Sequence, residues 1–174
     1  MPAPPSEARL ELDLSGLAAT DGLAARLANL AEPGDLIGLS GELGTGKTAF
    51  ARAFIAARAA ASGAEIDEVP SPTFTLVQTY ELGPDTVWHF DLYRLDRAED
   101  VYELGIEDAL ADGIVLIEWP ERMAALLPDD RLDIELRFAD SPERRRAVLI
   151  GRGGWAARLA SIGAQAAPGG DAGS

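Results

Sequence analysis

The sequence predicts an α/β fold, in which the strands of a central sheet alternate with helices. Two short and almost wholly apolar runs, residues 36–40 and 114–117, are typical of strands that are covered on both faces. A glycine-rich segment at 41–46 follows the first run, and residues with helical periodicity come directly after it. Residues 75–80 and 86–90 are rich in β-branched and aromatic side chains, which predicts a hairpin in addition.

The N-terminal part of the chain is predicted to alternate strand, helix, strand and helix. Residues 10–14 alternate between leucine and an acidic residue, which is typical of a strand. Ser15 or Thr20 can cap the helix that follows. The second helix is predicted at 48–61, and Ser62-Gly63 ends it. The first helix carries leucines at helical spacing, namely Leu17, Leu23, Leu27 and Leu30.

The C-terminal part is predicted to add two short helices and a last hairpin to the strand at 114–117. Residues 97–104 and 106–110 have the composition of helices, and Gly105 separates them. Residues 131–138 and 144–150 predict the two strands of the hairpin, with an Asp-Ser-Pro turn between them.

The length of 174 residues suits one compact domain. We expect that domain to span residues 1–162, because the Ala, Gly and Pro content of residues 163–174 predicts a frayed tail. No stretch reaches the roughly 18 uninterrupted apolar residues that a membrane span needs. The N-terminus has no basic residue before an apolar run, so it does not resemble a secretory signal, and we expect a cytoplasmic protein.

The charge balance and the scarcity of some residue types exclude several kinds of site. The chain has 15 basic and 29 acidic residues and a formal net charge of −14, which disfavours a stand-alone DNA or RNA binder. It has no cysteine and one histidine, which excludes disulfides, cysteine nucleophiles and sites built on several imidazoles. All basic residues except Lys47 are arginine, which singles out Lys47 as a position that needs a compact ammonium group.

Residues 41–48 form the strongest motif, Gly-Glu-Leu-Gly-Thr-Gly-Lys-Thr, which fits G-x-x-x-x-G-K-[ST] at each fixed position. The glycines let successive backbone N–H groups point inward, and the N-terminus of the following helix adds a partial positive charge. Lys47 can bridge the β- and γ-phosphates, and Thr48 can place its hydroxyl on Mg²⁺. The motif therefore predicts a site for a nucleoside triphosphate.

Two acidic residues, Asp91 and Glu118, each end an apolar strand. Ligands of open α/β sheets bind beyond the carboxyl ends of the strands, so both carboxylates are predicted to reach the phosphates. Either acid can bind Mg²⁺ or orient the attacking water, and the residues alone leave that choice open. His89 alternates with Asp91 along its strand, and we expect a structural or hydrogen-bonding role for it rather than a catalytic one.

Other classes of nucleotide-binding protein are disfavoured by motifs that the chain lacks. A Ras-like GTPase needs Asn-Lys-x-Asp, which cannot occur because Lys47 is the only lysine. A transport-type ATPase needs Leu-Ser-Gly-Gly-Gln, which residues 14–17 break. A small-molecule kinase stays open as an alternative, although no arginine cluster that would form its lid lies between Lys47 and Arg131. A nucleotide-gated interaction module without a catalytic need is the other alternative.

Five segments occur in one order along the chain: residues 41–48, Ser71-Pro-Thr-Phe-Thr-Leu-Val77, His89-Phe-Asp-Leu-Tyr-Arg-Leu95, Glu103-Leu-Gly105 and Ile117-Glu-Trp-Pro-Glu121. Together they resemble the bacterial TsaE family, also called YjeE, over roughly residues 10–150. That family is the small ATPase of tRNA threonylcarbamoyladenosine biosynthesis. The phosphate loop alone is shared by many families, whereas the joint set of segments is specific.

The resemblance implies a P-loop fold with a central, mostly parallel sheet flanked by helices. It implies ATP and Mg²⁺ as cofactors and a weak ATPase activity. This activity is stimulated in a complex with the threonylcarbamoyl transferase (TsaD type) and its paralogue (TsaB type). The family member does not perform the transfer itself, and it meets the tRNA only indirectly through these partners.

The resemblance also implies roles for individual residues. Thr48 and Glu118 resemble the Mg²⁺ ligands, and Asp91 resembles an essential acid after the strand. Lys47 acts with these two acids in catalysis. The segment 71–74 resembles a switch loop that senses the γ-phosphate. Nucleotide binding is implied for Thr20 near the adenine, for Trp119, which packs the site or contacts a partner, and for Gly44, Thr45, Gly46, Lys47, Thr48 and Ala49.

Two positions depart from the family pattern. Ala49 stands where the family often has a second threonine, so a hydroxyl is absent although the backbone N–H can still bind phosphate. Thr45 replaces a more usual alanine, and we expect this change to be harmless. An arginine from the last hairpin is implied near the nucleotide, and Arg144, Arg145 and Arg146 are all candidates for it.

Overall fold

The computed structural model describes residues 6–66 and 75–166, with side chains as far as residue 163. Within these ranges the chain forms seven strands and four α-helices. The strands are β1 (Glu7–Leu14), β2 (Leu36–Ser40), β3 (Val77–Leu82), β4 (Asp85–Asp91), β5 (Ile114–Glu118), β6 (Leu132–Phe138) and β7 (Arg145–Arg152). The helices are α1 (Leu17–Leu30), α2 (Lys47–Ser62), α3 (Ile106–Asp112) and α4 (Gly154–Ala166).

All seven strands belong to one sheet with the order β1-β7-β6-β2-β5-β4-β3. The four consecutive strands β6, β2, β5 and β4 are parallel, whereas β1, β7 and β3 pair antiparallel with their neighbours. The predicted α/β fold with a mostly parallel centre is confirmed, and so are the two predicted hairpins, β3–β4 and β6–β7. Every residue of β5 is buried, as expected of a strand that is covered on both faces.

Two apolar clusters cover the two faces of the sheet. The larger cluster contains side chains from α1, α2 and α4, and its largest members include Phe50, Phe54 and Trp155. The smaller cluster includes Phe90 and Ile117 and packs against α3. Because both faces are filled with apolar side chains, polar side chains of the central strands are left to the strand ends, where β2, β4 and β5 meet the loops.

The start of α1 differs from the predicted cap. Gly16 is the N-cap residue, with φ 142° and ψ −179°, and no side chain forms a capping hydrogen bond. The prediction of Ser15 or Thr20 as the cap is therefore wrong. Thr20 lies one turn into the helix, where its hydroxyl faces the Gly16 carbonyl at 3.5 Å. Leu17 is 67% exposed and does not join the core, unlike Leu23 and Leu27.

The helix α4 is absent from the sequence prediction. Trp155, Leu159 and Ile162 recur at helical spacing, and all three are buried in the larger cluster. The helix continues to Ala166, so its last turn lies inside the range 163–174 that the composition assigns to a tail. Within residues 6–66 and 75–166, no helix is long and apolar enough to cross a membrane.

The connections between the later strands contain 3₁₀ turns. One spans Ala98–Tyr102, and Gly105 then begins α3 in the left-handed conformation, which agrees with the predicted split at Gly105. A second 3₁₀ segment, Pro120–Leu126, follows β5 and was not predicted. Trp119, the residue after Glu118, is the N-cap of this second segment.

Candidate functional site

The phosphate loop connects β2 to α2. At Gly41 and Gly46 the backbone conformation would be strained with any residue other than glycine. Gly41 has φ 137°, and a Cβ there would overlap the Leu136 carbonyl oxygen. Gly46 is the N-cap of α2 in the left-handed conformation, with φ 106°. The backbone therefore takes a path that requires glycine, and the N-terminus of a 16-residue helix points into the loop.

The Lys47 ammonium group is enclosed by the loop that carries it. Its Nζ donates hydrogen bonds to the Gly41 and Glu42 carbonyls, at 2.8 and 2.9 Å. It also lies 4.3 Å from the centroid of the Trp119 ring. Burial lowers the pKa of Lys47 below its ordinary value of 10.5, and the nearby acids, led by Glu118, oppose that shift. The site thus holds a buried cation beside carboxylates.

The two predicted acids lie side by side at the end of the sheet. Asp91 and Glu118 are paired in the register of the parallel strands β4 and β5, and both are buried. The Thr48 hydroxyl donates to Oε1 of Glu118 at 2.6 Å. Oδ1 of Asp91 accepts a hydrogen bond from the Tyr93 backbone N–H at 3.1 Å. The strand register therefore brings both carboxylates to the phosphate loop, as the positions of the acids at strand ends predict.

His89 contacts one of these acids. Its Nε2 lies 2.8 Å from Oε2 of Glu118, and both side chains are buried. This contact is the hydrogen-bonding role that the sequence predicts for His89.

Two clefts meet at the start of α2. The first, of about 340 Å³, is lined by the loop, by both acids and by Trp119. The second, of about 370 Å³, is lined by Thr20 of α1, by Thr45 and by Arg145 of β7. Gly46 and Ala49 line both clefts, so the two spaces adjoin across the first turn of α2.

The oxygen atoms at this site suit a metal ion that is bound partly by the protein and partly by the phosphates of a ligand. Among the residues that the structure describes, no group of three or more histidine, aspartate or glutamate side chains could hold a metal ion. Mg²⁺ does not need such a group, because it binds through one or two protein oxygens and completes its shell with phosphate oxygens and water. The Thr48 hydroxyl and the Glu118 carboxylate, 2.6 Å apart, supply such oxygens.

Comparison with known families decides the relationship of this chain to other proteins. A family model described as "Threonylcarbamoyl adenosine biosynthesis protein TsaE" matches residues 14–147. The chain belongs to the TsaE family. The family is involved in tRNA threonylcarbamoyladenosine biosynthesis, and the resemblance stated from the sequence is confirmed.

Individual members of the TsaE family match most of the chain. The chain is 39% identical to a tRNA threonylcarbamoyladenosine biosynthesis protein TsaE of Rickettsia felis over 75% of this chain and 74% of that protein. It is 38% identical to the Bacillus subtilis TsaE protein over 72% and 75% of the two chains. The crystal structure of YdiB from Bacillus subtilis superposes with a TM-score of 0.73 and 26% identity, covering 91% of this chain and 96% of that one. The fold is therefore a P-loop fold, which indicates a nucleotide-binding protein.

The structure gathers the predicted site residues of this TsaE family member into the two clefts. The first cleft is lined by Gly44, Gly46, Lys47, Thr48, Ala49, Asp91, Glu118 and Trp119, and the second by Thr20, Thr45, Gly46 and Ala49. The Thr45 hydroxyl donates to the Glu42 carbonyl at 2.8 Å. That hydrogen bond connects two residues of the phosphate loop and stabilises its conformation. The predicted switch segment 71–74 lies outside the described residues.

Tyr93, Arg94 and Arg145 are among the further residues that line the clefts of this TsaE family member. Tyr93 and Arg94 line the first cleft, and the Tyr93 ring lies 5.0 Å from the Trp119 ring. Both belong to the segment 89–95, which is one of the five that resemble the family, but the resemblance implies no role for either residue. Arg145 lines the second cleft, where its Nε donates to the Thr45 carbonyl at 3.2 Å and its guanidinium lies over the Phe138 ring. Of the three candidate arginines, Arg145 alone lines a nucleotide-sized cleft beside the phosphate loop.

Proposed function

We propose that this chain binds and hydrolyses ATP with Mg²⁺ as an accessory subunit of tRNA threonylcarbamoyladenosine biosynthesis. The observation that carries the proposal is the assembly of Lys47, Thr48, Asp91 and Glu118 around one glycine-rich loop. Membership of the TsaE family supports the process, and the P-loop fold supports the nucleotide. We expect this role in the cytoplasm.

The proposed mechanism assigns the phosphates to the first cleft. The backbone N–H groups of the loop and Lys47 bind the β- and γ-phosphates. Thr48 and Glu118 would hold Mg²⁺, which when bound neutralises charge on the phosphate oxygens. Asp91 lies beside Glu118 at the carboxyl end of the neighbouring strand, so we assign to Asp91 the orientation of the attacking water.

The second cleft would take the nucleoside. Thr20 lies on its α1 side and Arg145 on its β7 side. The guanidinium of Arg145 is flat and already stacks on Phe138, so it offers a surface for a second planar group. Because the clefts adjoin at Gly46 and Ala49, a nucleotide can bridge them with its phosphates at the N-terminus of α2.

The proposed partners are the transferase of the TsaD type and its paralogue of the TsaB type. The net charge of −14 supports a division in which the partners hold the tRNA and this subunit does not.

The site is tested by the affinity of a non-hydrolysable ATP analogue, measured by calorimetry with Mg²⁺. Lys47→Ala should abolish detectable binding, because it leaves the phosphate charge uncompensated. Arg52→Ala is the matched control, since it removes one positive charge from an exposed position on the same helix. Normal binding and hydrolysis by Lys47→Ala would contradict the site, and so would an equal loss in the control.

The need for hydrolysis is tested by phosphate release with and without the two partners. We expect Asp91→Asn to impair hydrolysis more than binding, since it keeps the size of the side chain, removes the carboxylate that orients the water and leaves both proposed Mg²⁺ ligands in place. Failure of this variant to support tRNA modification would favour catalysis. Full support by it would favour the nucleotide-gated module, and phosphate found on a metabolite would favour the kinase.

A further inference from the structure

The two oxygens of the Glu118 carboxylate have different partners. Oε1 accepts the hydrogen bond of the Thr48 hydroxyl at 2.6 Å, at the start of α2. Oε2 lies 2.8 Å from Nε2 of His89, on the neighbouring strand β4. One oxygen thus faces the proposed Mg²⁺ site, and the other is held inside the protein by a fully buried imidazole.

The strand register explains how His89 reaches this position. His89 pairs with Leu116, and Asp91 pairs with Glu118. His89 and Asp91 lie on the same face of the sheet because side chains alternate along a strand. The imidazole therefore lies two residues before the end of β4 and approaches Glu118 from the interior of the sheet, whereas Asp91 lies at the edge that meets the loop.

The hydrogen bonds indicate where the imidazole carries its proton. A carboxylate only accepts hydrogen bonds, so Nε2 is the donor to Glu118. Nδ1 is buried and has no hydrogen-bond partner in the part of the chain that the structure describes. A proton on Nδ1 would leave a buried donor unsatisfied, so the neutral tautomer with its proton on Nε2 fits the site.

We propose that His89 is a positioning residue for the Mg²⁺ site, because its Nε2–H holds Oε2 of Glu118 and thereby directs Oε1 toward Thr48 and the metal. The inference rests on the proposed function. The terminal torsion of glutamate is broad, so a carboxylate without this restraint rotates and presents Oε1 to the metal for less of the time. Hydrogen bonds of this kind orient the ligands of protein metal sites in general.

Two variants of His89 distinguish the effect of its hydrogen-bond donor from the effect of the size of its ring. His89→Gln places an amide N–H at about the reach of Nε2, whereas His89→Met has a similar length and no donor. The quantity to measure is the ratio of the dissociation constants for a non-hydrolysable ATP analogue without and with Mg²⁺. We expect this ratio to fall about tenfold or more in His89→Met and to stay within about threefold of the unmodified chain in His89→Gln.

The ratio distinguishes positioning from packing. A packing role would lower thermal stability and both affinities together, and it would leave the ratio unchanged in both variants. An unchanged ratio in His89→Met, or an equal fall in His89→Gln, would overturn the inference while the proposed function stands. Failure of the unmodified chain to bind the analogue would overturn the proposed function and this inference with it.

A second measurement needs no variant. Because the chain has one histidine, its imidazole nitrogens give one pair of signals in the ¹⁵N NMR spectrum of histidine-labelled protein. We expect the signals to show a proton on Nε2, the nitrogen that faces Glu118, and a displacement of the Nε2 signal when Mg²⁺ is added with the analogue. A proton on Nδ1 alone, or an Nε2 signal that does not respond to Mg²⁺, would overturn the inference.

Discussion

Trp119 combines a strained backbone with contacts that fix its ring at the mouth of the first cleft. Its φ of 61° and ψ of 51° are left-handed, a conformation that costs a residue with a Cβ about 1–2 kcal/mol. Its backbone N–H donates to the Leu39 carbonyl at 3.0 Å, which ties it to β2. Its ring contacts both Lys47 and Tyr93. These contacts hold the strained residue where the ring covers the ammonium group.

Loss of the Trp119 ring should weaken nucleotide binding. We expect Trp119→Ala to reduce the affinity for a non-hydrolysable ATP analogue about twofold to fivefold, since a cation–π contact contributes about 0.5–1 kcal/mol at a partly exposed site. Trp119→Phe keeps a ring and should lose less. Equal affinities for the alanine variant and the unmodified chain, measured by calorimetry, would contradict a role for the ring in binding.

At the scale of single residues, the motif positions could be predicted, and the choice among the three arginines near the second cleft could not. Lys47 and Thr48 follow from the motif because each fixed position has one chemical role. The choice of Arg145 over its neighbours depends on where β7 begins and on which face of it a residue occupies, since Arg144 precedes the strand and Arg146 lies on the face opposite to Arg145. The sequence shows three consecutive arginines and does not show that face, so only the structure distinguishes them.

Arg58 connects three elements of the fold. From α2, its Nη1 donates to the Ala28 and Ala31 carbonyls at the end of α1, at 2.8 and 3.0 Å. Its Nη2 donates to Asp85 at the start of β4, at 2.6 Å. The cation thus satisfies carbonyls at a helix C-terminus, where positive charge is favourable, and fixes α1 against the helix that begins at the phosphate loop.

Removal of this guanidinium should destabilise the protein. We expect Arg58→Ala to lower the free energy of unfolding by about 2 kcal/mol, because it leaves a half-buried carboxylate and two carbonyls without their donor. Arg97→Ala is the control, since its pair with Glu99 is exposed and 3.8 Å long, and we expect less than about 0.5 kcal/mol from it. Similar denaturant midpoints for the two variants would contradict the structural role of Arg58.

At the scale of elements, the buried strands could be predicted and α4 could not. A strand covered on both faces is a continuous apolar run, so β2 and β5 are visible in the sequence. In α4 the three large buried residues are separated by alanine, arginine and serine, and the helix runs on into the Ala- and Gly-rich end of the chain that resembles a tail. The N-cap of α1 was missed for a related reason, since Gly16 caps by its backbone and carries no side chain to signal it.

The charge of the whole molecule limits what it can bind alone. The net charge of −14 is spread over a protein of 18.3 kDa, and a tRNA carries a phosphate at each nucleotide. Electrostatic attraction supplies most of the non-specific affinity for nucleic acids, and here it has the wrong sign.

The isolated chain should therefore not bind tRNA. We expect no retardation of tRNA in a gel at an ionic strength of about 0.15 M, and retardation when the two proposed partners are added. The partners without this chain are the control for their own tRNA binding. Salt-sensitive binding of tRNA by the isolated chain would show that a local basic surface outweighs the net charge.

At the scale of the whole molecule, the order of the strands could not be predicted from residue patterns. The sequence places β2 and β5 far apart, and it contains no signal that they pair directly. The positions of Asp91 and Glu118 at strand ends predicted that both reach the phosphate loop. Their register as neighbours, and hence the contact of His89 with Glu118, needed the structure.

The hydrogen bonds of Lys47 to its own loop have a kinetic consequence. The Lys47 ammonium group donates to the Gly41 and Glu42 carbonyls, so a nucleotide phosphate has to compete with two internal acceptors for its N–H groups. Association of the nucleotide then includes a first-order step, in which the ammonium group exchanges its internal acceptors for phosphate oxygens. In stopped-flow experiments the observed rate should level off as the nucleotide concentration rises.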